Sequence, residues 1–304
     1  MGLSRAAIKL IAEAVRDHQL RGRVLVVGKQ DVWGTEPDIL RWLEESGLSP
    51  AKCKVLPSLK LDLQRLGFIQ DISLFQLMGF QEVVTLDNSA YEGAGIVCDL
   101  NLPVPDELAA QMGRFDLVID AGCLEHIFNA PQVLKNFYRL ASDRGVVVHV
   151  APSSNHVDHG LYMFSPTFFQ DYYSANRWEI LYHYFFRYAQ SYKAPWKIYQ
   201  YEPGALLPIS FGGLSRGIYG IFVVTRKQDG STCDANVQQG AYLAAWAEGG
   251  DLNKPRIFKN KWLALRERLK PKIPRGVLPL LMTVEAKINA AGGVPRYLKH
   301  YKTL

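Results

Sequence analysis

Three aspartates and two histidines stand where an α/β chain does its chemistry. Asp87, Asp99 and Asp120 each follow a short apolar run, at 82–86, 95–98 and 115–119. A carboxylate released at the end of a buried strand can accept two hydrogen bonds in parallel, which suits a pair of ribose hydroxyls. Asp87, followed by Asn88 and Ser89, is the candidate for that role; an Asx-type turn closing the strand is the alternative. His156 and His159 flank Asp158 in the segment 155–166, just beyond another apolar run at 145–150. Imidazole titrates near neutral pH, so either histidine suits removal of a proton from an attacking hydroxyl. His159 is the preferred base, because Gly160 beside it permits close substrate approach; the alternative is that both histidines simply order their loop. A metal set of His156, Asp158 and His159 is short of ligands, so no metal is expected.

These side chains need strands and loops to position them. Arg23–Val27 reads as a buried strand, and Gly28, Lys29 and Gln30 open the loop that follows, reaching Gly34. Thr35 and Asp38 then form a capping box around Pro37 at a helix start. Strand, glycine loop and capped helix make half of a nucleotide-binding βαβ unit, in which the helix amino terminus favours negative charge. A turn without ligand remains the other reading. Residues 44–67 lack a clean period and read as an insertion with a short strand and helix. Asp87 lies further from Gly28 than the usual spacing of about 20 residues, and the insertion accounts for the excess. Helical patterns at 71–78, 106–112, 130–141 and 167–176 alternate with the apolar runs. That alternation predicts a Rossmann-like, doubly wound α/β sheet. Two more strand candidates, 178–186 and 218–226, bring it to about seven strands.

The stretch Phe115 to Asn129, FDLVIDAGCLEHIFN, resembles the fourth strand and following loop of class I S-adenosylmethionine-dependent methyltransferases. The family pattern is FDLV, small residues, then LEH. The resemblance covers roughly 23–226 and implies an antiparallel last hairpin. It implies S-adenosylmethionine as cofactor, with Gly28, Lys29 and Gln30 near its methionine part. Asp87 and Asn88 would meet the ribose, Asp99 the adenine amino group, and Leu100 a face of the base. Asp120, Ala121, Gly122 and His126 would shape the middle of the site. Glu125 is expected to cap the next helix, and His149 to be structural. A helix start like Phe164-Ser165-Pro166 borders the acceptor pocket in many such enzymes. The implied activity is methyl transfer (EC 2.1.1.-), O-directed, to a small molecule or glycan. The departures are Val26-Val27 where the family has an acid, and glycines six apart at 28 and 34. They keep open a second possibility, a non-catalytic binding or scaffold protein.

Composition bounds the remainder. With 48% hydrophobic and 21% charged residues, the chain has the balance of an ordinary globular protein. Cys53, Cys98, Cys123 and Cys233 form no CxxC pair, which argues against structural zinc and a disulfide framework. A reducing cytoplasm is the expected location, and Cys123 reads as a small buried thiol rather than a nucleophile. Of the net charge of +6, residues 254–304 carry +11, from thirteen Lys and Arg against two Glu, which leaves −5 for the rest. An acidic body with a basic tail is not a nucleic-acid-binding core. The expected domains are an α/β unit, 1–228, and a linker with a basic helical extension, 229–304. The amphipathic helix at 259–270 suits a peripheral membrane contact or a homo-dimer interface. The aromatic segment 187–211 suits either an acceptor's flat face or packing over the sheet.

Overall fold

The computed structural model describes residues 2–247 and 277–304. The chain opens with β1 (Gly2–Leu3), α1 (Arg5–Asp17), β2 (Gly22–Val27), β3 (Asp31–Thr35) and α2 (Glu36–Glu45). α3 (Leu61–Arg65), β4 (Phe68–Gln70), α4 (Asp71–Leu77), β5 (Phe80–Asp87), β6 (Ile96–Val97) and α5 (Asp106–Met112) follow. Next come β7 (Phe115–Ala121), α6 (Ala130–Leu140), β8 (Ala141–Ser154), α7 (Pro166–Ala175) and β9 (Glu179–Tyr188). The last elements are β10 (Lys197–Gln200), β11 (Ile218–Arg226), α8 (Gly240–Ala247), α9 (Leu278–Gly292) and β12 (His300–Thr303).

Among the described residues the main sheet has nine strands, in the order β12-β10-β9-β11-β8-β7-β2-β5-β6. β6, β5, β2, β7 and β8 are parallel, while β11, β9, β10 and β12 pair antiparallel. Side chains alternate across β2: Val24 and Val26 enter one core, Leu25 and Val27 the other. β7 divides likewise, with Leu117 and Ile119 on one face and Val118 on the other. Such strands are apolar at every position because helices cover both faces. α1, α2 and α4 fill the first face; α5, α6 and α7 fill the second.

The count of about seven strands falls short of the nine observed. The two extra strands arise where composition pointed elsewhere. Within the aromatic segment, β10 continues the sheet beyond β9, and Trp196 stacks on Phe186 at 3.9 Å. Trp196, Tyr199 and Tyr201 are buried, so these rings pack against the sheet. The described end of the chain returns as β12 beside β10, with Lys302 paired to Glu13 of α1. It therefore adds to the sheet rather than standing off as a purely helical appendage. The basic helix read at 259–270 lies outside the described residues. The loop expected from Gly28 to Gly34 also differs, because residues 31–35 form β3 in a small sheet with β1 and β4. The capping box of Thr35 and Asp38 is present at α2. Among the described residues no helix is long and apolar enough to cross a membrane.

His183 in β9 offers a test of the core. Its ring lies 4.4 Å from that of Tyr201, and Nδ1 faces Gln170 Oε1 at 3.2 Å. Burial pushes this imidazole from 6.5 down to about 3. Between those values the unfolded chain binds a proton that the native state refuses. Stability is therefore complete above pH 6.5 and is lost as pH falls toward about 3, by up to about 1.4 kcal/mol per unit. His183→Gln should flatten that acid limb when urea denaturation is followed between pH 7 and 4.

Candidate active site

At the carboxyl edge of the parallel strands, connections from β2 lead to β5 and β6 on one side, and β7 leads to β8 on the other. The crevice at such a switch point is where open α/β sheets take ligands. Gly28 enters the loop after β2 at φ +71°, and its N–H donates to the Leu86 carbonyl at 2.8 Å. Asp87 ends β5, accepting the Lys29 N–H at 3.0 Å on one oxygen and the Asn88 N–H at 2.7 Å on the other. Each oxygen keeps a lone pair for a further donor. Asn88 is exposed beside it.

Lys29 does not reach out for an incoming carboxylate. Its ammonium lies 2.5 Å from Asp71 Oδ1, and the Asp71 side chain is fully buried at the start of α4. Asp71 also accepts the Gln30 N–H at 3.0 Å. Gln30 turns inward, donating to the Gly28 carbonyl at 3.1 Å. Asp71 was missed from sequence, where it reads only as a helix start; its pairing with Lys29 spans 42 positions. A cavity of about 550 Å³ opens beside this loop, lined by Lys29, Asp71, Lys60 and Tyr91 among others. Lys60 bridges Asp31 at 2.9 Å and Glu92 at 2.7 Å there, while Tyr91 is 94% exposed.

Asp99 closes an Asx turn, accepting the Asn101 backbone and side-chain N–H groups, both at 2.9 Å. Leu100 is buried in the core, so its side chain does not flank an open base site. Asn136 of α6 holds this segment through the Leu100 and Leu102 carbonyls at 3.2 and 2.9 Å.

Asp120 is also committed internally. One oxygen accepts the Cys123 and Leu124 N–H groups at 3.2 and 3.0 Å. The other lies 2.7 Å from His149 Nδ1, whose Nε2 lies 2.6 Å from the Tyr173 hydroxyl. All three side chains are buried, so Asp120 anchors the loop rather than facing a ligand. Ala121 is buried too, and Gly122 turns the chain at φ +86°. A Cβ on Gly28 would stand 3.2 Å from Cys123 Cβ, so the loops after β2 and β7 touch. Burial, with Asp120 adding, pushes the Cys123 thiol up and makes it a poor nucleophile.

Beyond this anchor the LEH residues form a short 3₁₀ turn. Glu125 is fully buried, and among the described residues neither carboxylate oxygen has a hydrogen-bond partner. It does not cap α6, which lacks any side-chain cap. Burial first and Asp120 second push the Glu125 carboxyl up to about 8. The histidine loop lies on it: Leu161 and Tyr162 N–H donate to the Glu125 carbonyl at 2.8 and 3.2 Å. A Cβ on Gly160 would stand 3.0 Å from Glu125 Cγ, so that glycine serves the packing of two loops, not substrate approach. His159 Nε2 is 3.8 Å from Glu125 Oε1, and its ring lies 5.3 Å from that of His126 and 5.5 Å from that of His156. His156 Nε2 lies 3.1 Å from the Tyr219 carbonyl, which fixes the proton there and leaves the lone pair on Nδ1. Desolvation first, then His159, holds the pKa of both His126 and His156 down. Phe128, Val157, Leu161 and Met163 are exposed on these same loops.

The structure thus gathers Gly28, Lys29, Gln30, Asp87 and Asn88 at one part of the carboxyl edge, and His126, His156 and His159 at another. Five parallel strands closed by the antiparallel β11 and β9 are what the resemblance implied. The mostly parallel sheet with its antiparallel closing pair resembles the Rossmann-like folds of methyltransferases. Among solved structures the chain is similar to Burkholderia thailandensis 1,6-didemethyltoxoflavin-N1-methyltransferase, at 16% identity, over 73% of this chain and 79% of that one, with TM-score 0.37. It is similar to residues 961–1257 of the StiE O-MT, at 12% identity, 75% and 76% coverage and TM-score 0.38. It is also similar to the N-methyltransferase NodS from Bradyrhizobium japonicum WM9, at 10%, 72% and 97%, with TM-score 0.34. No protein-family model and no curated protein matches the chain.

The buried Asp120–His149–Tyr173 chain should dominate the stability of this edge. Asp120→Ala is expected to cost about 3 kcal/mol in urea denaturation, because the imidazole and two N–H groups lose their acceptor. A residue whose work was only to contact ligand would leave the denaturation midpoint unchanged.

Proposed function

We propose that the protein is an S-adenosylmethionine-dependent methyltransferase acting on an oxygen of a small molecule or glycan. One observation carries the reading: Asp87, the LEH loop and the two histidines all leave the same carboxyl edge, after β5, β7 and β8. Open α/β sheets take their ligands along this edge.

The cofactor fits the residues present in part. Asp87 retains acceptor capacity at the strand end where a ribose would lie, and Gly28 and Gly122 bring backbone without Cβ to the crevice. Its sulfonium supplies an electrophilic methyl group, which needs an aligned nucleophile more than covalent help. The methionine end gains nothing from the Lys29 ammonium, which Asp71 neutralises. Asp99 keeps one carboxylate oxygen outside its turn, as an adenine amino group would require. At the acceptor end, proton removal falls to the His156–His159 pair, and Phe128, Val157, Leu161 and Met163 offer an apolar rest for the acceptor. A cytoplasmic location and a partner other than nucleic acid belong to the same reading.

A non-catalytic binding protein on this fold is favoured by one observation, the closed loop in which Gln30 folds inward and Gly28 abuts Cys123. Calorimetric titration decides between them: the enzyme reading requires S-adenosylmethionine to bind below millimolar concentration. Asp87→Ala should weaken that binding at least about tenfold through loss of charge-assisted hydrogen bonds. His159→Ala should slow methyl transfer about a hundredfold or more while leaving cofactor affinity intact.

A further inference from the structure

We infer that Glu125, His126 and His159 form a binding site for a divalent transition-metal ion of the zinc class. One donor atom from each of the three lies within 4.8 Å of the other two. A second observation points to a cation independently of that spacing. The Glu125 side chain is fully buried, and both its oxygens are without a hydrogen-bond partner among the described residues. An ionised carboxylate in that position costs several kcal/mol unless a positive charge meets it, and no lysine or arginine is paired with it among the described residues. The groups beside it are imidazoles, which in neutral form are ligands for the ion that would supply the charge.

The donor set has recognisable chemistry. Two imidazoles and one carboxylate are a three-ligand complement that leaves an open position, the arrangement of catalytic rather than structural zinc sites. Ligands at about 2.0–2.2 Å from a tetrahedral ion stand about 3.4 Å apart, so the three donors need draw together by little more than an ångström. His126 and His159 are both exposed, whereas Glu125 is fixed by its packing against Gly160. The backbone provides the frame, since Leu161 and Tyr162 bind the Glu125 carbonyl and so hold the two loops in register. Calcium and magnesium, which prefer all-oxygen shells, fit this set poorly.

The site goes beyond the methyl-transfer reading and does not depend on it. If that reading holds, a hydroxyl of the acceptor takes the open position and is acidified there, His159 acts as a ligand, and His156 Nδ1 is left to accept the proton.

The test uses the full chain after chelator treatment, titrated with Zn²⁺ by calorimetry and with Co²⁺ by visible absorption. One equivalent should bind, and the Co²⁺ spectrum should show nitrogen and oxygen ligation without a thiolate charge-transfer band. Glu125→Gln and His126→Ala should each weaken binding at least about tenfold. Because the exposed His126 can be replaced without disturbing the core, His126→Ala decides the matter if Glu125→Gln fails to fold. Absence of a stoichiometric site, thiolate ligation, or affinity unchanged in His126→Ala overturns the proposal. Titration with S-adenosylmethionine in parallel keeps the two readings separate: metal binding without cofactor binding sinks only the methyltransferase, and the converse sinks only the metal site.

Discussion

The carboxylate of Asp120 sits beneath the carboxyl edge of the sheet, and the geometry above it depends on where its two oxygens point. One oxygen gathers the amides of Cys123 and Leu124 and so sets the turn that carries Glu125 and His126. The other binds His149 across to β8, and His149 in turn reaches Tyr173 on α7. A strand, its neighbour and a helix on the second face are thereby fixed together through groups that have no access to water. Buried polar groups are costly when unpaired and rigid when every member is satisfied. This chain is satisfied at each joint, which makes the loop above it a defined platform.

A second buried pair does comparable work on the other side of the crevice. Asp71 takes the Lys29 ammonium and the Gln30 amide, while Asp87 takes the Lys29 amide. The loop after β2 is thus shaped by the protein's own carboxylates, one from a helix start and one from a strand end. Compared with a loop of alternating glycines, this one substitutes side-chain anchors for backbone freedom. The contact between Gly28 and Cys123 then brings the two platforms together.

Against these satisfied networks Glu125 stands out. It shares the burial of Asp120 and Asp71, but among the described residues neither of its oxygens has a hydrogen-bond partner. The histidine loop packs over it with Asn155 and Asp158 both at positive φ, 65° and 62°, the left-handed region that Asn and Asp enter more readily than other non-glycine residues. An unsatisfied buried carboxylate is what a structure tolerates where a ligand is to be met.

Alternation of apolar runs with helical stripes was enough to place the strands of the parallel core and the β9–β11 pair, because strands buried on both faces must be continuously apolar. The capping box at Thr35 and the position of Asp87 were legible for the same local reason. Residue types singled out His156 and His159, and the fold packs their loop against the LEH turn. Local pattern does not carry partnership across the chain. Nothing near Lys29 announces Asp71, nothing near Asp120 announces His149, and nothing near residue 197 announces that the last residues pair there. Those are matters of which side chains a tertiary fold brings together, and the free energy of a buried charge depends on that neighbour more than on its own type. The sequence alone thus determined the parallel core of the sheet with the β9–β11 pair, its carboxyl edge and the kinds of group along it. Tertiary structure decided that Asp120, Asp71 and Leu100 are built into the frame, and that Glu125, His126 and His159 come together at its edge.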